Sequence, residues 1–392
     1  MQKLDLVILA GGKGKRIRKF LKDNPKPLAN INDKTFISYL LNHFSKFNFE
    51  KIFILAGYRG NKIIKKYHKK FYNLTKIEVI KEKKPLDTGG ALSNLKNKKI
   101  NDFLLINGDS IFMVDNFYNL KKNTIYLTYN NNYRSNSKLN GLNIDSNKNI
   151  IFSNRSNYMN AGVYFFKKNF LNLIPSEKIS LEDKILPKLI DKKKLKGIIS
   201  NRFFFDIGTP NNFIKSSKLL KNQFKRPAIF LDRDGVINYD KGYTHMYKNF
   251  KFKPNVIKAL KFLQNKGYYI FVITNQAGIA KGIFSLNDFY ILHKKINNYL
   301  IKKKIFINDI RYCPYHPKAK IKKYKKKTSY RKPGNLMILD ILKNWDIDLK
   351  KSFMIGDKLS DKLAAKKSNI YFEFDENDLY RQSLKIINKF NK

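Results

Sequence analysis

Short apolar runs that end abruptly in a glycine, an amide or a carboxylate recur along the chain. They are LDLVILAGG from residue 4, DFLLINGDS from 102, AIFLDRDG from 228, YYIFVITN from 268 and SFMIGD from 352. A strand that is apolar without alternation has to be buried on both faces, which confines it to a mostly parallel sheet covered by helices. The intervening segments supply those helices, as in TFISYLLNHFSKF and NKIIKKYHKKFY. Parallel strands put their carboxyl ends on one edge, and in open α/β sheets ligands bind along that edge. The polar residues that close these runs are therefore the first candidates for chemistry.

The alternation occurs twice. A polar stretch, KSSKLLKNQFKRP, closes the first set, so the boundary is expected near residue 224. The chain then reads as two doubly wound, mostly parallel α/β domains, 1–224 and 225–392, with no internal repeat because their motifs differ. The hydrophobic fraction of 43% is ample for two packed cores. A formal net charge of +50, from 80 basic and 30 acidic residues, invites a nucleic-acid reading. Lysines, however, are spread from Lys3 to Lys392 and rise with Asn, Ile, Tyr and Phe, whereas a groove for phosphate backbones concentrates its charge. No nucleic-acid partner is expected, and the excess charge draws in anionic small substrates. A single cysteine excludes an intrachain disulfide and suits a cytoplasmic location. No run reaches the ~20 apolar residues that span a bilayer, so no membrane partner is expected.

In the first half, LAGGKGKRIRKFLKDNPKPL starts where a strand ends. Gly11, Gly12 and Gly14 let backbone N–H groups approach a phosphate chain, and Arg16 and Lys26 would add cationic donors. Alone, such a loop also serves as a structural turn. INGDS and FFDIGTP, however, add strand-end carboxylates, Asp109 and Asp206, able to hold Mg²⁺ beside the phosphates. That combination fits phosphoryl or nucleotidyl transfer. With these parts in order, residues 1–220 resemble the sugar-1-phosphate nucleotidyltransferases, and most of all the short branch that makes GDP-D-glycero-D-manno-heptose. The resemblance implies that Arg16 and Lys26 act on the NTP and sugar phosphate, and that Asp109 and Asp206 are the metal pair. It further implies that Gly89 and Gly90 of EKKPLDTGGAL contact the nucleobase, with Asp87 where glycine is more usual. NAGVYFF and SLEDKILPKLI are similar to the family's sugar-binding segments, implicating Asn160, Gly162 and Glu182.

AIFLDRDGVINYD is the most specific string in the chain. Asp232 and Asp234 stand two apart at a strand end, so both project to one side. One carboxylate can attack phosphorus while its neighbour handles the leaving-group proton. Thr274 and Asn275 in VITNQAG, Lys332 in RKPG, and Asp357 with Asp361 in MIGDKLSD follow in order, as phosphate and Mg²⁺ ligands. These motifs resemble the haloacid-dehalogenase-type phosphatases over residues 227–375. The finer likeness is to D-glycero-D-manno-heptose 1,7-bisphosphate 7-phosphatases and the related histidinol-phosphatase domains. It implies that Asp232 is the nucleophile, Asp234 the acid/base and Asp357 a Mg²⁺ ligand, with Asp232 and Asp234 both facing the metal. It also implies that Thr274, Asn275 and Lys332 hold the phosphate, and that Arg331 reaches the rest of the substrate.

One departure stands out. That family carries a zinc held by Cys-x-His and Cys-x-Cys ahead of Arg-Lys-Pro, but the matching positions here read Cys313-Pro-Tyr315 and Thr328-Ser-Tyr330. Tetrahedral zinc needs four N, S or O donors. With only Cys313 left, and His316 as a sole substitute, zinc is expected to be absent. Mg²⁺ is expected at both catalytic sites. The two halves make one sequence of reactions: removal of a 7-phosphate from a heptose bisphosphate, then activation of heptose 1-phosphate with NTP. If the first half makes a GDP-sugar, the α anomer is the expected intermediate. The competing readings are an NDP-hexose synthase joined to a histidinol-phosphate-type phosphatase, and a basic nucleic-acid-binding protein with degenerate enzyme domains. The intact acids argue against the latter.

Overall fold

A computed structural model describes residues 2–115, 117–129, 140–153, 156 and 158–391. Residues 1–43 and 49–219 form one compact unit, and residues 44–48 and 220–392 the other. The division comes at Leu219 and Leu220 rather than at residue 224, inside helix Pro210–Phe224. The last turn of that helix goes with the second unit because the Tyr269 hydroxyl donates to the Phe224 carbonyl oxygen at 2.7 Å, and Leu220 and Phe224 are both buried. No helix among the described residues is long and apolar enough to cross a membrane.

In the first unit, β1 (Leu4–Ala10), β2 (Lys51–Ala56), β3 (Thr75–Lys81) and β4 (Asp102–Asn107) are parallel, with β1 between β2 and β4. Their middles are the apolar runs of the sequence, and Val7, Phe53, Ile54 and Leu105 are fully buried. Asp5, the acid that interrupts the first run, is also buried. Its Oδ2 accepts from the Asn101 backbone N–H at 2.7 Å and side-chain amide at 3.1 Å, and burial pushes its carboxyl up. The chain continues through β5 (Ser110–Phe112), β6 (Thr124–Tyr129), β7 (Tyr158–Phe166) and β8 (Phe204–Asp206). Here the sheet departs from the parallel expectation: β7, the AGVYFF strand, runs antiparallel to both β4 and β6. β5 and β8 form a separate antiparallel ribbon that sets Asp206 opposite Ser110.

Short helix α1 (Asp87–Ala91) follows β3. Asp87 lies in the left-handed region at φ 62°, which accounts for glycine being usual there; Asp is one of the few side chains that tolerate it. Its Oδ1 accepts from the Thr88 N–H at 2.7 Å, which fixes the turn. Gly89 and Gly90 serve packing. Both N–H groups donate to the Ile179 carbonyl oxygen at 3.0 Å, and a methyl on Gly90 would overlap the Glu177 carbonyl.

The second unit is a five-stranded, all-parallel sheet. β9 (Ala228–Leu231), β10 (Tyr269–Asn275), β11 (Asp309–Cys313), β12 (Phe353–Gly356) and β13 (Tyr371–Phe374) lie in the order β11-β10-β9-β12-β13. The strand order reverses around β9, so a crevice opens at its carboxyl end. Helix α2 (Leu286–Lys302) starts with a capping box between Ser285 and Asp288 and buries Phe289, Leu292, His293, Ile296, Asn297 and Leu300 at helical spacing. His293 and Asn297 are the two polar members of that buried stripe.

The tight seat of Gly90 gives a direct check. Gly90→Ala is expected to destabilise the protein by about 3 kcal/mol, because a backbone carbonyl cannot yield as a side chain can. Urea unfolding followed by circular dichroism would measure it.

Candidate active sites

The carboxyl end of β9 delivers Asp232, whose side chain is almost wholly buried. Buried Lys332 places its Nζ 3.0 Å from Asp232 Oδ1 and 2.5 Å from Asp361 Oδ1, and donates to the Ile273 carbonyl oxygen at 2.8 Å. Asp361 reaches the site from the first turn of helix α3 (Leu359–Lys366), where its Oδ2 also accepts from the Lys358 N–H at 3.0 Å. Burial pushes the Asp232 carboxyl up to about 7, against the opposing pull of Lys332. Burial likewise raises Asp357, which sits one residue past β12.

Ligand oxygens of Asp232, Asp357 and Asp361 lie within 4.8 Å of one another, the one such group of three metal-capable side chains among the described residues. Asp357 Oδ1 is buried without a hydrogen-bond partner, an arrangement that is costly unless a cation fills it. An all-oxygen set suits Mg²⁺. The residues fit the ion, and would use it to neutralise charge on a phosphoryl group.

Asp234 does not join this group as a metal ligand. Its carboxylate is turned into a fork formed by Arg233, with Nη2 at 2.7 Å from Oδ2 and Nε at 3.1 Å from Oδ1. Asn238 and Gln276 donate to the same carboxylate. Thr274 is buried beside it and its Oγ1 accepts from Gln276. Asn275 is committed elsewhere. Its side chain makes a reciprocal pair with the Lys332 backbone, donating to the carbonyl at 3.0 Å and accepting from the N–H at 3.1 Å. Asn275 therefore sets the loop that carries Lys332. Arg331 keeps a buried, unpartnered Nη1, and burial lowers its pKa.

The loop after Cys313 is held by backbone and rings. The His316 N–H donates to the Tyr324 carbonyl at 3.1 Å, the Lys320 and Ile321 N–H groups to Ala280 at 3.0 and 3.1 Å, and Tyr315 meets Tyr324 edge-on at 6.1 Å. The Cys313 thiol is buried against the Tyr315 carbonyl, and His316 Nδ1 accepts from the Lys318 N–H.

In the first unit, a cavity of about 550 Å³ opens at the carboxyl ends of β1, β3 and β4. Gly11, Gly12, Lys26, Asp109, Tyr58, Glu82 and Thr88 are on its wall. Lys26 Nζ is paired with Asp109 Oδ2 at 2.6 Å. A methyl built on Gly208 would meet Asp206 Oδ1, Lys26 Nζ at 3.1 Å and Arg16 Nη2 at 3.2 Å, so three groups from two motifs converge on one point, with Asp109 held to Lys26. Asp206 is steadied by the Asn212 side chain at 3.2 Å. Three of the expected glycines lie off this wall. Gly14 turns the chain at φ 61° into the Lys15–Phe20 turn and packs on Leu21. Gly89 and Gly90 lie behind the wall that Asp87 and Thr88 form, facing residues 177–181.

Asn160, Gly162 and Glu182 do come together. Glu182 accepts from Thr88 Oγ1 at 2.5 Å and the Tyr164 hydroxyl at 3.1 Å; Asn160 donates to that hydroxyl and accepts from the Gly162 N–H. Burial raises the Glu182 carboxyl. The residue not anticipated is Glu82. It follows β3 directly, the same strand-end signal that marked Asp109, and its oxygens press against Gly11 and Gly57.

A model of the MobA-like NTP transferase domain matches residues 6–123, and one of the polynucleotide kinase 3 phosphatase matches residues 229–381. The D-glycero-beta-D-manno-heptose-1,7-bisphosphate 7-phosphatase of Rhodopseudomonas palustris is 42% identical over 156 residues, which is 40% of this chain and 87% of that protein. The chain belongs to that phosphatase family. The like-named protein of Escherichia coli K12 is 40% identical over 144 residues, 37% of this chain and 75% of that one. The solved structure of HddC from Yersinia pseudotuberculosis is 27% identical, covering 56% of this chain and all of that one, with a TM-score of 0.47. The chain thus joins a nucleotidyltransferase domain to a phosphatase domain of this family.

At pH 6 Asp232 retains much of its proton, since burial has raised it to about 7. A divalent cation needs the carboxylate, so binding must expel that proton. Titration calorimetry with Mg²⁺ in buffers of different ionisation enthalpy should show proton release at pH 6 that fades by pH 8. Buffer-independent heats at pH 6 would mean that Asp232 is already ionised.

Proposed function

We propose that the chain catalyses two consecutive steps of nucleotide-activated heptose formation. The phosphatase domain removes the 7-phosphate of D-glycero-D-manno-heptose 1,7-bisphosphate. The nucleotidyltransferase domain then transfers GMP from GTP to heptose 1-phosphate, releasing pyrophosphate. The observation that carries the reading is the buried Asp232–Lys332–Asp361 cluster, in a domain 42% identical to a phosphatase of that name.

In the phosphatase, an Asp232 carboxylate oxygen attacks phosphorus as the bond to the sugar oxygen breaks, and Asp234 gives that oxygen its proton. Water then attacks the aspartyl phosphate, its proton passing to Asp234. Lys332 neutralises the phosphoryl oxygens, and Thr274 and Arg331 border the substrate. Asp232, Asp357 and Asp361 would hold Mg²⁺, which supplies charge neutralisation at the same phosphoryl group.

In the other domain, Arg16 and Lys26 face the phosphates, and Asp109 and Asp206 would hold a second Mg²⁺. The sugar-phosphate oxygen attacks the α-phosphorus in line, and the protein contributes mainly position and charge. Glu82 supports guanine as the base. A carboxylate accepts hydrogen bonds and donates none, and guanine alone among the four ribonucleotide bases offers two adjacent donors, N1–H and the 2-amino group, to such a pair of oxygens. The fate of the heptose is a surface polysaccharide precursor, and the setting is the cytoplasm.

The test supplies purified protein with each anomer of the bisphosphate and each NTP, following phosphate, pyrophosphate and nucleotide sugar together; the relatives are named for the β anomer. Asp232→Asn should stop phosphate release and leave pyrophosphate release from supplied heptose 1-phosphate intact, and Asp109→Asn should do the reverse. Glu82→Gln should lower kcat/KM for GTP by roughly 10- to 100-fold, the worth of one charged hydrogen bond. Turnover of histidinol phosphate but neither heptose bisphosphate would overturn the substrate assignment.

A further inference from the structure

Arg233 lies between the two acids of the phosphatase motif and is only 1% exposed. Burying a guanidinium costs several kcal/mol unless its donors are matched, and an apolar side chain of similar volume would pack there at less cost. Its donors are matched closely. Nη2 reaches Asp234 Oδ2 at 2.7 Å and Oδ1 at 3.0 Å, Nε reaches Oδ1 at 3.1 Å, and Nη2 also donates to the Thr244 carbonyl at 2.8 Å. The remaining arm, Nη1, lies 3.3 Å from Nε2 of His293. That imidazole is buried, and burial together with the neighbouring Arg233 holds it well below its ordinary pKa, so it is neutral. Guanidinium nitrogens only donate, so His293 Nε2 is the acceptor of this pair. Asn238 and Gln276 complete the ring of donors around Asp234, at 3.0 and 3.1 Å.

The geometry points to Arg233, backed by His293, as the positioning residue for Asp234. The inference rests on reading Asp234 as the proton carrier of the phosphatase. Three carboxylates already crowd the cation position, and Asp234 stands two residues from one of them. A free fourth carboxylate would be drawn to the same cation and lost to proton transfer. The Arg233 fork holds Asp234 in one orientation, outside that group. The step served is the one already written: the Asp232–phosphorus bond forms, the phosphorus–sugar oxygen bond breaks, and the Asp234 proton goes to that oxygen.

Positioning of an acid has a signature that general loss of structure lacks. An alkoxide leaving group needs the proton, whereas p-nitrophenolate leaves without one. Wild type, Arg233→Met and Arg233→Lys would be compared on p-nitrophenyl phosphate and on an alkyl phosphate. The alkyl arm runs heptose 1,7-bisphosphate and histidinol phosphate in parallel. The substrate assignment can then fail on one while the role of Arg233 is read on whichever the wild type hydrolyses. Arg233→Met should lower kcat on the alkyl phosphate by about 100-fold with KM little changed, the usual worth of general acid catalysis. Its single-turnover release of p-nitrophenolate, which precedes the water step that also uses Asp234, should stay within about threefold of wild type, and Arg233→Lys should fall between on the alkyl phosphate. If Arg233→Met fails to fold, His293→Leu, which removes only the backing acceptor, should show the same selective loss at smaller size. Equal losses on both substrates, or no loss on either, would overturn the inference.

Discussion

The phosphatase half depends on one buried ammonium. Lys332 is sealed among Asp232, Asp361 and the Ile273 carbonyl, and without it two carboxylates would face each other in the interior. A buried pair of this kind does little for stability by itself, and breaking it is severe. Its value lies in position: it fixes Asp232, the proposed nucleophile, beside Asp361. The ammonium has to be delivered by a loop far from both acids in sequence. Asn275 does that delivery by gripping the Lys332 backbone from the end of β10. The ordered loop before it, tied by Tyr315, Tyr324 and the bond from His316 to Tyr324, holds the approach.

The first domain solves a related problem with the opposite emphasis. On the proposed reading its ligand carries a chain of phosphates and reacts in a single displacement, which calls for no nucleophile from the protein. Instead Arg16, Lys26, Asp109 and Asp206 converge around Gly208, and cations and carboxylates alternate at the rim of an open cavity. In both domains the groups gather where parallel strands end: Asp109 follows one and Asp232 and Asp357 follow two others, while Asp206 comes from the antiparallel ribbon.

That geometry explains what could be read from the sequence. Asp109, Asp206, Asp232 and Asp357 were legible because each follows a buried apolar run, and local order along the chain fixes that position. Lys332 was legible through its place in RKPG. What the sequence leaves out are partners distant along the chain. The contact of Asn275 with the Lys332 backbone spans 57 residues. Residues 177–181, against which Gly89 and Gly90 pack, lie some ninety positions on. Asp234 was placed beside the metal by the family resemblance, and only the fork from Arg233 shows where its oxygens turn. Glu82 obeys the strand-end rule too, but its strand TKIEVIK alternates apolar and polar residues and lacks the unbroken run that marks the others.

The central claim is that Asp232 is the group that takes the phosphoryl. Rapid quenching during turnover of heptose 1,7-bisphosphate, followed by borohydride reduction and peptide mass analysis, tests it directly, because an aspartyl phosphate is reduced to homoserine. The account predicts homoserine at position 232, appearing only with substrate and absent from Asp232→Asn. Reduction at position 234, or an unmodified Asp232 in protein shown to be turning over, would contradict it.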